Sequence, residues 1–314
     1  MPWGYAAEQK IMDKWAKKYG IEVEIVQIND YVESINQYTT GQFDGCVMTN
    51  MDALTIPAAG GVDSTALIVG DFSNGNDGVV LKGKNKSIKD VKGQNVNLVE
   101  LSVSHYLLAR GLETVGLKEA DVKVVNTSDA DMVAIYGTKD VTSVVTWNPL
   151  LGEILSQGNN TEVFNSSQIP GEIMDLMIVN TETLKKNPAL GKALVGAWYE
   201  IMGLMSGTDA KAIAAKKSMA VASGTDLAGY DAQLATTKMF YTPASAVEFV
   251  KSADLLKTMQ KVSEFSFDHG LLGDGAPDAK FIGVEGPSGV YGDKNNIKLR
   301  FNPMYMQMAA DGKL

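Results

Sequence analysis

The chain has 314 residues, 45% hydrophobic and 21% charged, enough to bury one large core or two modest ones and too apolar for a disordered protein. Its net charge of −9 excludes the basic face that nucleic acid requires, and mildly disfavours a bulk anionic substrate. The single cysteine, Cys46, rules out an internal disulfide and a cysteine metal set, and no apolar run is long enough to span a membrane.

Residues 1–5 (Met-Pro-Trp-Gly-Tyr) have neither a basic n-region nor an apolar h-region, and a helix over 6–19 closed by Gly20 follows at once. The chain therefore reads as starting in the middle of a fold. Ile21-Glu-Val-Glu-Ile25 alternates as a half-exposed strand, and Asp30 is placed to cap a helix over 31–40. The apolar strand Cys46-Val-Met48 then runs into Thr49-Asn50-Met51-Asp52, with Cys46 a buried structural thiol. A short helix over 53–59 stops at Gly60-Gly61, and a second strand, 66–69, runs into Gly70-Asp71. In a parallel sheet both turns open at one edge, where ligands of such units sit, which makes Asn50, Asp52 and Asp71 candidate ligand contacts.

A strand over 78–81 precedes the lysine-rich run 82–92, which reads as a crossing into a second lobe. There a new series begins: strands at 95–99, 122–125 and 142–146 alternate with helices at 104–115, 130–136 and 150–156, and a strand at 173–179 carries the chain back. From Thr181 the pattern is consecutive alanine-rich helices (190–205, 209–222, 227–239, 243–250, 255–265) with no clear sheet signal. The fold class is α/β: a first lobe of 1–81 plus 176–314, and an inserted lobe of 82–175. Two lobes joined by two segments form a hinge that closes on a ligand.

Gly41-Gln-Phe-Asp-Gly45, Ile88-Lys-Asp-Val-Lys-Gly93, Val145-Thr-Trp-Asn-Pro149 and Gly270-Leu-Leu-Gly273 resemble the nitrate/sulfonate/taurine type of ABC-transporter substrate-binding protein. Met1–Tyr5, Thr49–Ala53, Gly70–Asn76 and Met306–Lys313 are similar to the branch encoded beside urea carboxylase genes. The resemblance covers essentially the whole chain. It implies the two-lobe periplasmic-binding-protein fold of type 2 with parallel-type sheets, a periplasmic or extracytoplasmic monomer without cofactor, and an ABC permease as partner. The implied cargo is a small nitrogen-rich solute, urea or guanidinium, and members carry an export signal and a first strand ahead of the Trp-Gly-Tyr loop. Both are missing from this chain, so strand edges are expected to lie unpaired.

A guanidinium calls for carboxylates placed for forked hydrogen bonds and for an aromatic face, and urea for the same shape with a donor to its oxygen. The candidates are Asp52, Asp71, Glu100 after its strand, Trp147 after 142–146, and Trp3 with Tyr5 in the opening loop. Each has a structural alternative: Asp52 as a helix cap, Asp71 in a turn with Asn74, Asn76 and Asp77, Trp147 as packing. Glu100 and Asp175 each interrupt an apolar context, so each is expected to find a partner or a cleft. Ser104 and His105 open the second lobe's first helix, whose N-terminus favours an anion, although Glu100 beside it draws the preference back towards donor-rich ligands; His105 also fits a surface or cap role.

No His-paired nucleophile, phosphate loop or metal-ligand spacing is present, so neither catalysis nor a metal is expected. Competing functions on the same fold are a pyrimidine-precursor, sulfonate or nitrate binder, and an enzyme related to thiamine-pyrimidine synthase, whose cysteine-rich segment has no counterpart here. A ligand-sensing regulator is disfavoured because no helix-turn-helix segment precedes the sheet.

Overall fold

The computed structural model describes residues 2–314. Its strands are β1 (Gly45–Thr49), β2 (Ser64–Ser73), β3 (Asp77–Lys82), β4 (Asn95–Leu98), β5 (Lys123–Asn126), β6 (Ser143–Trp147), β7 (Asn160–Asn165), β8 (Met174–Asn180), β9 (Thr237–Met239), β10 (Gly283–Gly286), β11 (Gly289–Tyr291) and β12 (Ile297–Phe301). Two compact units share them. One comprises the chain up to Asp71, Met174–Ala232 and Met239–Leu314; the other comprises Phe72–Ile173 and Gln233–Lys238.

The first unit is built on a seven-stranded sheet in the order β1-β8-β2-β12-β10-β11, with β9 on β2. The β1/β8 and β10/β11 pairs are antiparallel, and β2/β12 and β10/β12 are parallel, so the sheet is mixed rather than uniformly parallel. β2 is buried along almost its whole length, as a strand covered on both faces must be. The Pro188–Ser206 helix packs on the Ile11–Lys18 helix, where Trp15 fills the space left by Gly196. The second unit's five-stranded sheet runs β5-β4-β6-β3-β7, over a core of Val80, Met132, Tyr136, Val144, Leu151 and Ile154.

Several expectations need correction. The strand at 78–81 is β3 and pairs with β6 and β7, so it belongs to the second sheet and not to the first lobe. Asp175, assigned to the inserted lobe, lies in the first unit. The alternating segment 21–25 forms no strand, because no strand lies against it to pair with. The opening helix divides into Pro2–Glu8 and Ile11–Lys18 at Lys10, which takes a left-handed φ of 55°. Strand β7 and the β10–β12 group were not expected; the latter is a hairpin turned at Pro287-Ser288 with a parallel return strand. Asp30 does cap its helix, accepting from the Glu33 amide at 2.8 Å. Among the described residues, no helix is long and apolar enough to cross a membrane.

Candidate ligand site

β1 ends where β8 begins, with Thr49 and Asp175 as register partners. Immediately after β1 the chain turns into the Asn50–Ala53 helix, and its cap is Thr49 rather than Asp52. Asp52 sits in the first turn instead, where a carboxylate is favoured by the helix dipole. Its Oδ2 accepts from Thr49 Oγ1 at 2.7 Å and from Tyr31 Oη at 2.8 Å, while Tyr31 Oη accepts from the Thr49 amide at 2.9 Å. Burial raises the Asp52 carboxyl above its ordinary range, the two hydroxyl bonds oppose that, and nearby Asp175 adds to it. Tyr31 is pushed up further by burial and by Asp52.

Asp71, near the end of β2, is only 7% exposed, whereas the Asp175 side chain on β8 is exposed. The two carboxyls are hydrogen-bonded to each other. Although Asp175 reaches solvent, the protein mass around it raises its carboxyl, and the bond from Asp71 acts the other way. The Tyr241 hydroxyl is raised first by burial and then by the charges of Asp231 and Asp71. Gly70 precedes Asp71 because the space is taken: an added Cβ would lie 2.9 Å from Trp198 Cζ2 and 3.6 Å from the Asp175 carbonyl oxygen. Trp198 in turn stacks on Trp3, with ring centroids 5.3 Å apart.

The first unit therefore gathers Asp52, Asp71 and Asp175 with the ring of Tyr31, while Trp198, with Trp3 stacked on it, packs against Gly70 on the face of β2 opposite to the Asp71 side chain. Trp3 and Tyr5 lie in a helix, not in a loop. Asn50 is also there in a supporting role: its Oδ1 accepts from the Met174 amide at 3.0 Å and ties the start of β8 to the turn after β1. Tyr31, Thr49, Trp198 and Tyr241 were not singled out from sequence. Thr49 carries a legible signal, a threonine directly ahead of a short helix; Trp198 carries none, being one apolar residue within a long apolar helix.

In the second unit, Glu100 is exposed, so it does not need the partner that its apolar strand suggested. His105 is buried: its Nδ1 accepts from the Leu101 amide at 3.2 Å, which places the Nε2 proton towards Glu119 Oε1 at 2.5 Å. The surface reading of His105 is thereby replaced by a structural one, a ring that braces the turn before the Val103–Glu113 helix. Ser104 is fully buried in that helix's first turn, and Ser102 caps it. Trp147 is half-buried at the end of β6, opposite Asp77, and Asn148 Oδ1 accepts from the Gly152 amide at 3.0 Å.

Three acids and the Tyr31 ring at the ends of adjacent strands can receive forked N–H donors and a planar π-face. Among the described residues neither Asp52 nor Asp175 is ion-paired with a lysine or arginine.

Comparison with known proteins places this geometry in context. A binding protein of Brucella abortus (strain 2308) is 26% identical over 155 residues, 47% of this chain and 46% of that protein. The taurine-binding periplasmic protein of Escherichia coli (strain K12) is 22% identical over 45% of this chain and 44% of its own. The match thus spans a little under half the length of these curated relatives. The crystal structure of the periplasmic aliphatic sulphonate-binding protein SsuA from Escherichia coli superposes with a TM-score of 0.71 at 18% identity, over 87% of this chain and 90% of that one. The fold is that of periplasmic binding proteins. Residues 4–202, more than half the chain, match the description "NMT1/THI5 like", and the chain belongs to that family.

Proposed function

We propose that the protein is the solute-binding component of an ABC-type importer, working outside the cytoplasmic membrane, and that it takes a small nitrogen-rich solute, guanidinium or urea, without chemical turnover. The observation that carries this reading is the Asp71–Asp175 carboxyl pair, one member exposed, with Asp52 beside it. Acids at strand ends with no described basic partner on Asp52 or Asp175 repel an anion and attract N–H donors. Tyr31, whose hydroxyl donates to Asp52, supplies an aromatic ring beside these acids. The extracytoplasmic location is supported by the word periplasmic in the names of the taurine- and sulphonate-binding relatives, and the permease partner and monomeric state are proposed from the motifs quoted above.

A sulfonate is the second reading. It is favoured by the cargo named for the taurine- and sulphonate-binding relatives, and by the capped N-terminus of the Val103–Glu113 helix, whose first-turn amides suit an anion.

A thermal-shift panel of guanidinium, urea, taurine, an alkanesulfonate and nitrate separates the two. A solute at about 100 times its dissociation constant adds about 2.7 kcal/mol to the folded form. Stabilisation by guanidinium or urea that Asp175→Asn removes supports the first reading. Stabilisation only by an anion, unaffected by Asp175→Asn, replaces it with the second.

A further inference from the structure

Asp52 is only 5% exposed, and the turn around it treats its two carboxylate oxygens differently. Oδ2 accepts both hydroxyl bonds, from Tyr31 Oη at 2.8 Å and from Thr49 Oγ1 at 2.7 Å. The direction of these bonds is set by the backbone. The Thr49 amide donates to Tyr31 Oη at 2.9 Å, and the Asp52 amide donates to Thr49 Oγ1 at 3.3 Å, so each hydroxyl already accepts from an amide that cannot reverse. Were Oδ2 to carry a proton, the hydroxyl protons would lose the acceptor they share, and among the described residues no other acceptor is bonded to either. Oδ1, by contrast, has no partner among the described residues and is not sealed from solvent. A proton or a ligand arriving at this carboxyl therefore has one atom to go to. The titratable groups that act on Asp52 are Tyr31, from the helix over 31–39, and Asp175, from β8. The Asp254–Asp268 helix, which also packs on this turn, meets Asn50 through Met259.

We propose that Asp52 Oδ1 is the atom that selects the solute: ionised, it accepts from a guanidinium N–H; protonated, it donates to a carbonyl oxygen such as that of urea. Tyr31 and Thr49 are the positioning residues that keep Oδ2 out of this exchange. The assignment rests on the nitrogen-rich cargo proposed above and adds what decides between its two members. Guanidinium has donors and no acceptor, so it competes with a proton for Oδ1, whereas urea carries an oxygen that the protonated form can hold. Burial raises the Asp52 carboxyl above 3.8, against the Thr49 and Tyr31 bonds and with a smaller push from Asp175. The ionised form, and guanidinium with it, is lost as the pH falls through that raised value.

The test is calorimetric titration of the full chain with guanidinium chloride and, separately, with urea. It runs from about pH 7 to about pH 4, spanning the carboxylate range, in two buffers of different ionisation enthalpy so that protons are counted. Below the Asp52 pKa the guanidinium affinity is expected to fall about tenfold per pH unit, each guanidinium displacing about one proton and urea none. Tyr31→Phe removes a hydrogen bond to the charged form, so the fall must begin at higher pH; a merely structural role would weaken binding alike at every pH. Asp52→Asn, with a permanent N–H donor at the open position, is expected to weaken guanidinium by about tenfold or more and to keep urea. Proton release that persists in Asp52→Asn, or a midpoint that Tyr31→Phe does not move, overturns the assignment. If either variant fails to fold, carbon-13 titration of the aspartate carboxyls in the wild-type chain decides: added guanidinium must lower the pKa of Asp52, and lowering only that of Asp175 rejects the proposal. Binding of guanidinium without proton release, or of urea alone, overturns the proposal and leaves the cargo reading standing. Binding of neither solute, or of an anion alone, overturns both.

Discussion

The carboxyl of Asp175 on β8 is hydrogen-bonded to that of Asp71 on β2, in an environment that raises Asp175 above its ordinary 3.8. Two carboxyls can share such a bond only while one keeps a proton, so the pair holds a proton more tightly when folded than when unfolded. The favourable contribution is therefore complete below pH 3.8 and is lost as the pH rises through the raised value. Asp175→Asn, which imitates the protonated member, is expected to raise the melting temperature at pH 7 and to have a shrinking effect as the pH falls towards 3.8. Melting curves between those limits measure it, and an equal effect at every pH would show that the proton is not shared.

Tyr31 is the member of the site with the largest structural stake. Its hydroxyl donates to Asp52 and accepts from the Thr49 amide, so Tyr31→Phe deprives both of a partner. The expected loss is about 1–3 kcal/mol, the range for buried polar groups left unmade. Heat is the appropriate perturbant, because urea and guanidinium are themselves proposed ligands. A cost near zero would mean that Asp52 relaxes onto Thr49 alone.

Gly70→Ala tests the packing behind the acid pair. The added methyl would lie 2.9 Å from Trp198 Cζ2, inside van der Waals contact, so the indole must shift along with the Trp3 ring stacked on it. Overpacking of this kind costs about 1–3 kcal/mol. The near-ultraviolet circular dichroism of the Trp3–Trp198 pair should fall in parallel, and an unchanged aromatic spectrum would mean that the stack does not depend on Gly70.

The parts of this architecture that were legible in the sequence are those fixed locally. Asp30 before its helix, the short strand segments that became β4 and β6, and acids directly after apolar strands all rest on neighbours a few residues away. The parts that were not legible depend on distant partners. Ile21–Ile25 has strand periodicity, yet a strand exists only where another lies beside it. β10 to β12 carry glycine, lysine and arginine in place of an apolar run, and are held to the sheet through β12, which pairs with β2. Trp198 packs against the bare backbone of Gly70, a complementarity that neither residue displays alone. Glu100 was misjudged for the opposite reason: its strand is buried, but the strand ends at Leu98 and the acid is already in solvent.

Arg300 explains how the late strands are locked to the early ones. Its Nε and Nη2 donate to the two carboxylate oxygens of Asp63, each at 2.9 Å, its Nη1 reaches Glu285 at 2.5 Å, and Thr181 Oγ1 donates to Asp63 at 2.7 Å. One guanidinium thus joins the chain just before β2 to β12, on which it lies, and to β10. Partial burial would raise the Asp63 carboxyl, but the Arg300 and Thr181 hydrogen bonds outweigh it and lower it from 3.8. The contribution of a lowered carboxyl is present above its unfolded pKa and is lost as the pH falls through the folded one. Arg300→Lys keeps the charge and loses the fork, so it is expected to destabilise by about 1 kcal/mol at pH 7, at the lower end for charged hydrogen bonds because solvent still reaches the pair. The same substitution should flatten the fall in melting temperature below pH 3.8. Wild-type and variant curves that stay parallel down to that region would mean that Asp63 is held by Thr181 alone.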